Sequence, residues 1–100
     1  MISEKQAITL RLLQDGGEMY GLEIIRKSGG HLKRGSIYVL LDRMEDGGLV
    51  KSKMQDVPPA AQGPPRRVYR ITAQGANALS EVLGRRLEIN ALLGLRGGLQ

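Results

Sequence analysis

One hundred residues, 41% of them apolar, make one domain's worth of chain, and with no Phe, no Trp and only three Tyr the core must come from Leu, Ile, Val, Met and Ala. There is no cysteine, which excludes disulfide staples and thiolate metal sites, and a single His supplies no convergent ligand set. Fifteen basic residues against ten acidic give a net charge of +5, a balance that favours a polyanionic partner.

The charge is concentrated in the middle of the chain. Residues 33–70 hold eight basic side chains (Lys33, Arg34, Arg43, Lys51, Lys53, Arg66, Arg67, Arg70) and four acidic ones (Asp42, Glu45, Asp46, Asp56). The polar start, Met1-Ile2-Ser3-Glu4-Lys5-Gln6, reads as no signal peptide, and no apolar run has membrane-spanning length. The expected location is the cytoplasm.

Ser3 is placed to cap a first helix, with Gln6 completing a capping box. Ala7, Ile8, Leu10, Leu12 and Leu13 give that helix an apolar side, and Asp15-Gly16-Gly17 stops it. A second helix is expected over 19–27 with Leu22, Ile24 and Ile25 turned inward. Gly21 costs it about 1 kcal/mol of propensity relative to Ala, which suits a point of close helix contact. Ser28-Gly29-Gly30 ends it, and residues 31–35 connect to a third helix capped by Ser36. There Ile37, Leu40, Leu41 and Met44 fall at i, i+3, i+4 and i+7, one buried stripe, before Asp46-Gly47-Gly48.

Residues 49–54 read as a short strand with Lys51 and Lys53 on one face. All four prolines and Gly63 fall within 55–65, an irregular tip, since proline lacks the donor that strand pairing needs. The return strand spans 66–71, with Arg67, Tyr69 and Ile71 alternating with Arg66, Val68 and Arg70. Thr72 caps a last helix that reaches about residue 93. Ala76, Leu79, Val82, Leu83, Leu87 and Asn90 line one side of it, Ile89 and Leu93 edge that side, and Arg86 interrupts it. Gly94, Gly97 and Gly98 break up the tail, which is expected to fray.

These elements define a mainly α fold with a small β-hairpin, an α+β winged helix-turn-helix in the order ααα-β-wing-β-α. Residues 1–72 are expected to form a winged-helix DNA-binding domain, and residues 73–100 a C-terminal dimerisation helix with a frayed tail. In such readers the third helix lies in the major groove. Its outer face carries Ser36, Val39 and Arg43, with Asp42 and Asp46 beside them and Tyr38 on the flank. An Arg there is suited to a guanine edge, and Ser36 to a phosphate near the helix N-terminus. Pro64-Pro65-Arg66-Arg67 sets a basic pair at the base of the wing, able to reach phosphates or a minor groove. Arg34 and Lys53 complete the expected DNA-binding set. The apolar stripe of the last helix, about 160° wide at roughly 100° per residue, exceeds what one small domain needs. Leu79, Val82, Leu83, Leu87 and Asn90 are therefore the expected dimerisation residues.

The motifs resemble those of the PadR-like family of transcriptional regulators. Met19-Tyr20-Gly21-Leu22-Glu23-Ile24-Ile25 resembles the family's hGYEI second helix, and residues 34–45, Arg-Gly-Ser-Ile-Tyr-Val-Leu-Leu-Asp-Arg-Met-Glu, look like its GSLYxxLxRLE recognition helix. Gly47-Gly48-Leu49-Val50 is similar to the GLV entry into the wing, and residues 63–72 to the GPPRRYYxLT exit. The resemblance implies a homodimeric repressor acting on a roughly palindromic operator, of the short subgroup with a single C-terminal helix. It also favours a phosphate contact for Tyr38. Some short members stack aromatic drugs on Trp at the dimer centre, and this chain has no Trp.

Other readings stay open. Tyr20 and Tyr38 suit either the core or a DNA contact, with the core favoured for Tyr20. Arg43 suits either a base edge or a surface ion pair with Asp42, Glu45 or Asp46. The two aspartates on the outer helix face repel phosphate and would suit a protein-interaction module instead. A small apolar effector at the dimer interface is a further alternative. No cofactor or metal is expected. No catalytic reading survives, for there is no nucleophile with a plausible base and no phosphate-binding Gly-Lys-Ser/Thr loop.

Overall fold

The structure is a computed structural model that describes residues 1–56 and 65–94. The elements are α1 (Glu4–Gly16), β1 (Met19–Tyr20), α2 (Gly21–Lys27), α3 (Ile37–Asp46), β2 (Val50–Gln55), β3 (Arg66–Ile71) and α4 (Ala73–Leu92). The expected proline-rich tip and the glycine-broken tail beyond Gly94 lie outside the described residues, apart from Gln55, Asp56 and Pro65 at the ends of the tip.

Local sequence sets the helix ends. Ser3 Oγ accepts from the Gln6 amide at 3.2 Å, and the Ser3 amide donates to Gln6 Oε1 at 3.0 Å, so the expected capping box is formed. The Thr72 hydroxyl accepts from the Gly75 amide at 3.0 Å and donates to the Gly48 carbonyl at 2.6 Å. One side chain thus starts α4 and ties it to the turn that follows α3. Ser36 occupies the N-cap position of α3, but its side chain makes no cap hydrogen bond. Its backbone (φ −126°, ψ −9°) departs from the extended geometry that aims a cap side chain. The Lys33 carbonyl starts the helix instead, accepting from the Ser36 and Ile37 amides.

The N-terminal part of the second expected helix is corrected. Met19 and Tyr20 form a strand that pairs antiparallel with β3 (Met19 opposite Tyr69, Tyr20 opposite Val68), giving a three-stranded sheet ordered β1-β3-β2. Helix α2 starts only at Gly21, with the Glu23 carboxylate accepting from the Tyr20 amide at 3.2 Å. The later start also corrects Leu22, which is exposed, while Gly21 and Ile24 are buried. The side chains of 66–71 alternate as expected, but both faces are buried at the centre of the strand. With β3 central, Val68 sits between its partners Tyr20 and Lys53 and is buried on one face, while Tyr69 is buried on the other.

One core unites the helices and the inner face of the sheet: Leu10 and Leu13 of α1, Met19, Ile24, Leu32, Ile37, Leu41 and Met44 of α3, Val50, Tyr69 and Leu79 of α4. Each such fully buried large side chain contributes about 1.5–3 kcal/mol. Burial raises the Tyr69 phenol pKa above its usual value, and the charge of Asp42 acts in the same direction. The neutral phenol is thereby favoured in the folded state. Stability from Tyr69 is complete below the ordinary tyrosine value of about 10 and is lost as pH rises through the higher folded value. Thermal melts across the alkaline range, with Tyr69→Phe as control, check this.

Gly75 is where α4 meets the rest of the fold. A Cβ there would collide with the Leu49 carbonyl oxygen and lie 3.0 Å from Ile71 Cγ1. Gly75→Ala is expected to lower stability by about 1–3 kcal/mol, read from urea denaturation, although Ala is the better helix former. The first half of α4 packs on α1. From Leu83 onward the helix leaves its apolar side chains uncovered, with Leu87 60% and Leu92 87% exposed.

Candidate nucleic-acid interface

Helix α3 buries Ile37, Leu41 and Met44 and turns Tyr38, Val39, Asp42, Arg43 and Asp46 to solvent. Tyr38 is 50% exposed and Val39 55% exposed. Arg34 and Ser36 are exposed in the turn just before the helix. Among the described residues no carboxylate lies within ion-pair distance of Arg43; the ion pairs formed there are Arg11–Asp15 and Lys53–Glu18. The surface ion-pair reading of Arg43 therefore finds no support.

Tyr38 is set by a small residue on the neighbouring helix. A Cβ at Gly21 would lie 2.8–2.9 Å from the Tyr38 ring and hydroxyl, so only glycine lets the ring lie there. The close helix contact expected at Gly21 is this one. Tyr20, Gly21, Leu22, Tyr38, Pro65, Arg66 and Arg67 line a cleft of about 350 Å³ between α2, α3 and the wing base.

Arg66 and Arg67 start β3 and, at period two, leave it on opposite faces. The Arg66 guanidinium stacks over the Tyr20 ring, 4.6 Å from its centroid, while Arg26 donates to the Tyr20 hydroxyl at 3.3 Å. Tyr20 is therefore a partly exposed platform for two arginines rather than a core residue. The sequence hid this because Tyr20 reads as helical until its pairing with β3 is known.

Arg67 is held from the other side. It donates to Ser52 Oγ at 3.0 Å, and Ser52 in turn donates through its amide and its hydroxyl to the Glu45 carboxylate at 2.7–3.1 Å. Glu45 is one of two acids in the last turn of α3, so the chain Glu45–Ser52–Arg67 links that helix to the wing base. Neither Glu45 nor Ser52 stands out in the sequence as a site residue. Lys53 pairs with Glu18 at 3.4 Å, an exposed contact worth about 0–1 kcal/mol that an incoming phosphate can displace. Lys51 and Arg70 face each other across β2 and β3 on the sheet's outer side. Like charges directly opposite are unfavourable, so an anion along this face relieves them.

On α4, Val82 and Asn90 are partly exposed and Leu83 and Leu87 exposed, as a contact with another chain requires. Leu79 is corrected: at 2% exposure it lies in the core of this chain itself.

Three core helices, a three-stranded sheet and a basic wing base beside an open helix face define a winged helix-turn-helix domain. The model of the transcriptional regulator PadR-like family matches residues 9–81, and the chain belongs to that family. Among solved structures it is similar to a PadR-like transcription factor from Bacteroides fragilis (26% identity, TM-score 0.77, covering 90% of this chain and 86% of that one). It is also similar to a PadR family transcription regulator from Clostridium difficile R20291 (26% identity, TM-score 0.69, 91% and 94% covered). The PcaV transcriptional regulator of Streptomyces coelicolor, solved with its natural ligand, shares the fold at 20% identity and TM-score 0.72, covering 92% of this chain and 60% of that one. No curated protein matches the chain. Among the described residues no helix is long and apolar enough to cross a membrane, and no group of His or acidic residues could hold a metal ion.

Proposed function

We propose that the protein is a homodimeric transcriptional repressor that binds a roughly palindromic double-stranded operator. Helix α3 enters the major groove and the wing base grips the backbone. The observation that carries this is the cleft that Tyr38 of the open α3 face shares with Arg66 and Arg67 of the wing base, lined also by Tyr20 and Gly21. Arg43 reads a guanine edge, Tyr38 and Ser36 donate to phosphate, and Arg34, Lys53, Arg66 and Arg67 supply backbone contacts. The uncovered half of α4 supplies the contact between protomers. Gel shifts at several salt concentrations test the proposal: affinity should fall steeply and log-linearly as salt rises.

The Tyr20 platform gives a finer expectation. Tyr20→Phe keeps the ring beneath Arg66 and should bind DNA nearly as wild type. Tyr20→Leu removes an intramolecular cation–π interaction of about 0.5–1 kcal/mol, so it should lower the melting temperature by a few degrees and weaken binding more than Tyr20→Phe does.

A second reading, a protein-interaction module, is favoured by one observation: Asp42 and Asp46 stand exposed on the outer face of α3. Absence of salt-sensitive duplex binding, together with a protein partner in a pull-down, would favour it. An effector role rests on the apolar groove of about 240 Å³ between α1 and α4, lined by Ala7, Ile8, Leu12, Leu79, Val82 and Leu83. A ligand that raises the melting point and also changes DNA affinity would demonstrate that linkage.

A further inference from the structure

Val39 is the unexplained residue of the open helix face. It is the third residue of α3, in the first turn, where the residues of a groove-inserted helix reach base edges. It is 55% exposed and belongs to no part of the core. Its β-branched side chain is also a poor helix former, so the position sacrifices both helix propensity and apolar burial. Around it stand groups with polar atoms: Ser36, Tyr38, Asp42 and Arg43. The isopropyl group has neither donor nor acceptor and can satisfy no hydrogen-bonding base edge. One apolar group exists on the major-groove edges of DNA, the C5 methyl of thymine.

We infer that Val39 is a specificity-determining residue that reads thymine, by packing its side chain on the C5 methyl of one thymine in each operator half-site. This rests on the DNA-binding reading given above and adds the base that one position selects. Arg43, one turn further along the same face, leaves a guanine to be read nearby, so the half-site carries a thymine and a guanine within the span of that turn.

The test replaces each thymine of a selected operator duplex with deoxyuridine, one symmetric pair at a time. This removes the methyl group and leaves pairing and every hydrogen-bonding atom in place. One symmetric pair should show the effect. The loss expected is about fourfold per half-site, which is ~0.8 kcal/mol for one buried methyl converted at ~1.4 kcal/mol per tenfold. Val39→Ala should bind more weakly than wild type and show a smaller uracil effect at that pair. Because Ala is the better helix former at an exposed site, its thermal melt should be no lower. Equal affinity of the wild type for thymine and uracil duplexes overturns the inference while leaving DNA binding intact. So does a Val39→Ala variant that keeps the full uracil effect. A protein that binds no duplex at all fails the underlying reading and the inference with it.

Discussion

Replacing Arg66 and Arg67 together with alanine is expected to weaken binding to every duplex, operator and unrelated sequence alike, by about two orders of magnitude or more. Each hydrogen bond to a charged group contributes about 1.5–3 kcal/mol, and a dimer presents each arginine twice. The logarithmic salt dependence should flatten by about 0.9 for each phosphate that is no longer neutralised. The structure gives this pair its weight. Arg66 is braced by Tyr20 and Arg67 by Ser52 and Glu45, so neither guanidinium must be ordered from full freedom on binding. Arg43→Ala should behave differently, with a loss of about 1–3 kcal/mol at one base pair and a relaxed preference there. Gel shifts at fixed salt, with operator and scrambled duplexes side by side, separate the two effects. Unchanged affinity in both variants would mean that DNA uses another face.

Replacing Leu83 and Leu87 with aspartate is expected to leave a folded monomer. Leu83 is 37% and Leu87 60% exposed in the single chain, and neither belongs to its core cluster, so the fold is expected to survive. In a two-fold symmetric interface each leucine appears twice, and burial of each contributes about 1.5–3 kcal/mol. The double substitution therefore removes most of the association energy and adds four carboxylates to the interface. Sedimentation should report the mass of one chain for the variant and of two for the wild type. Operator affinity should fall at least about a hundredfold, since each half-site must then be bound without its partner. A variant that remains dimeric would place the interface elsewhere, and a wild type that sediments as a monomer would remove the role proposed for α4.

The sequence made the helices legible because their signals are local. Ser3 with Gln6, Thr72, and the four-residue stripe from Ile37 to Met44 each act within a turn or two of helix, and each does so in the structure. What stayed hidden depends on pairing between distant residues. Met19 and Tyr20 lie some fifty residues from Tyr69 and Val68 in the chain, and a two-residue strand has no periodicity of its own. Without that pairing β3 reads as an edge strand with one buried face, Tyr20 as a helical core residue and Leu22 as buried.

The candidate site shows the same division. Arg43, Arg66 and Arg67 are visible in the sequence as basic residues on predicted surfaces. The groups that hold the two wing arginines, Tyr20, Ser52 and Glu45, are defined by distances across three elements. Leu79 illustrates the opposite error. One apolar stripe runs along α4, but its first half packs on α1 of the same chain, while Leu87, Ile89 and Leu92 in its second half stand exposed among the described residues. Periodicity records that a stripe is buried and leaves open by what.

The measurement that bears most directly on a dimeric, sequence-reading protein is selection of bound sites from a random duplex pool, followed by sequencing of the survivors. The expected result is a two-fold symmetric consensus with half-site centres separated by about one helical turn or a multiple of it, ~10 base pairs. A pool that yields no enriched sequence, or one asymmetric site, would contradict that picture.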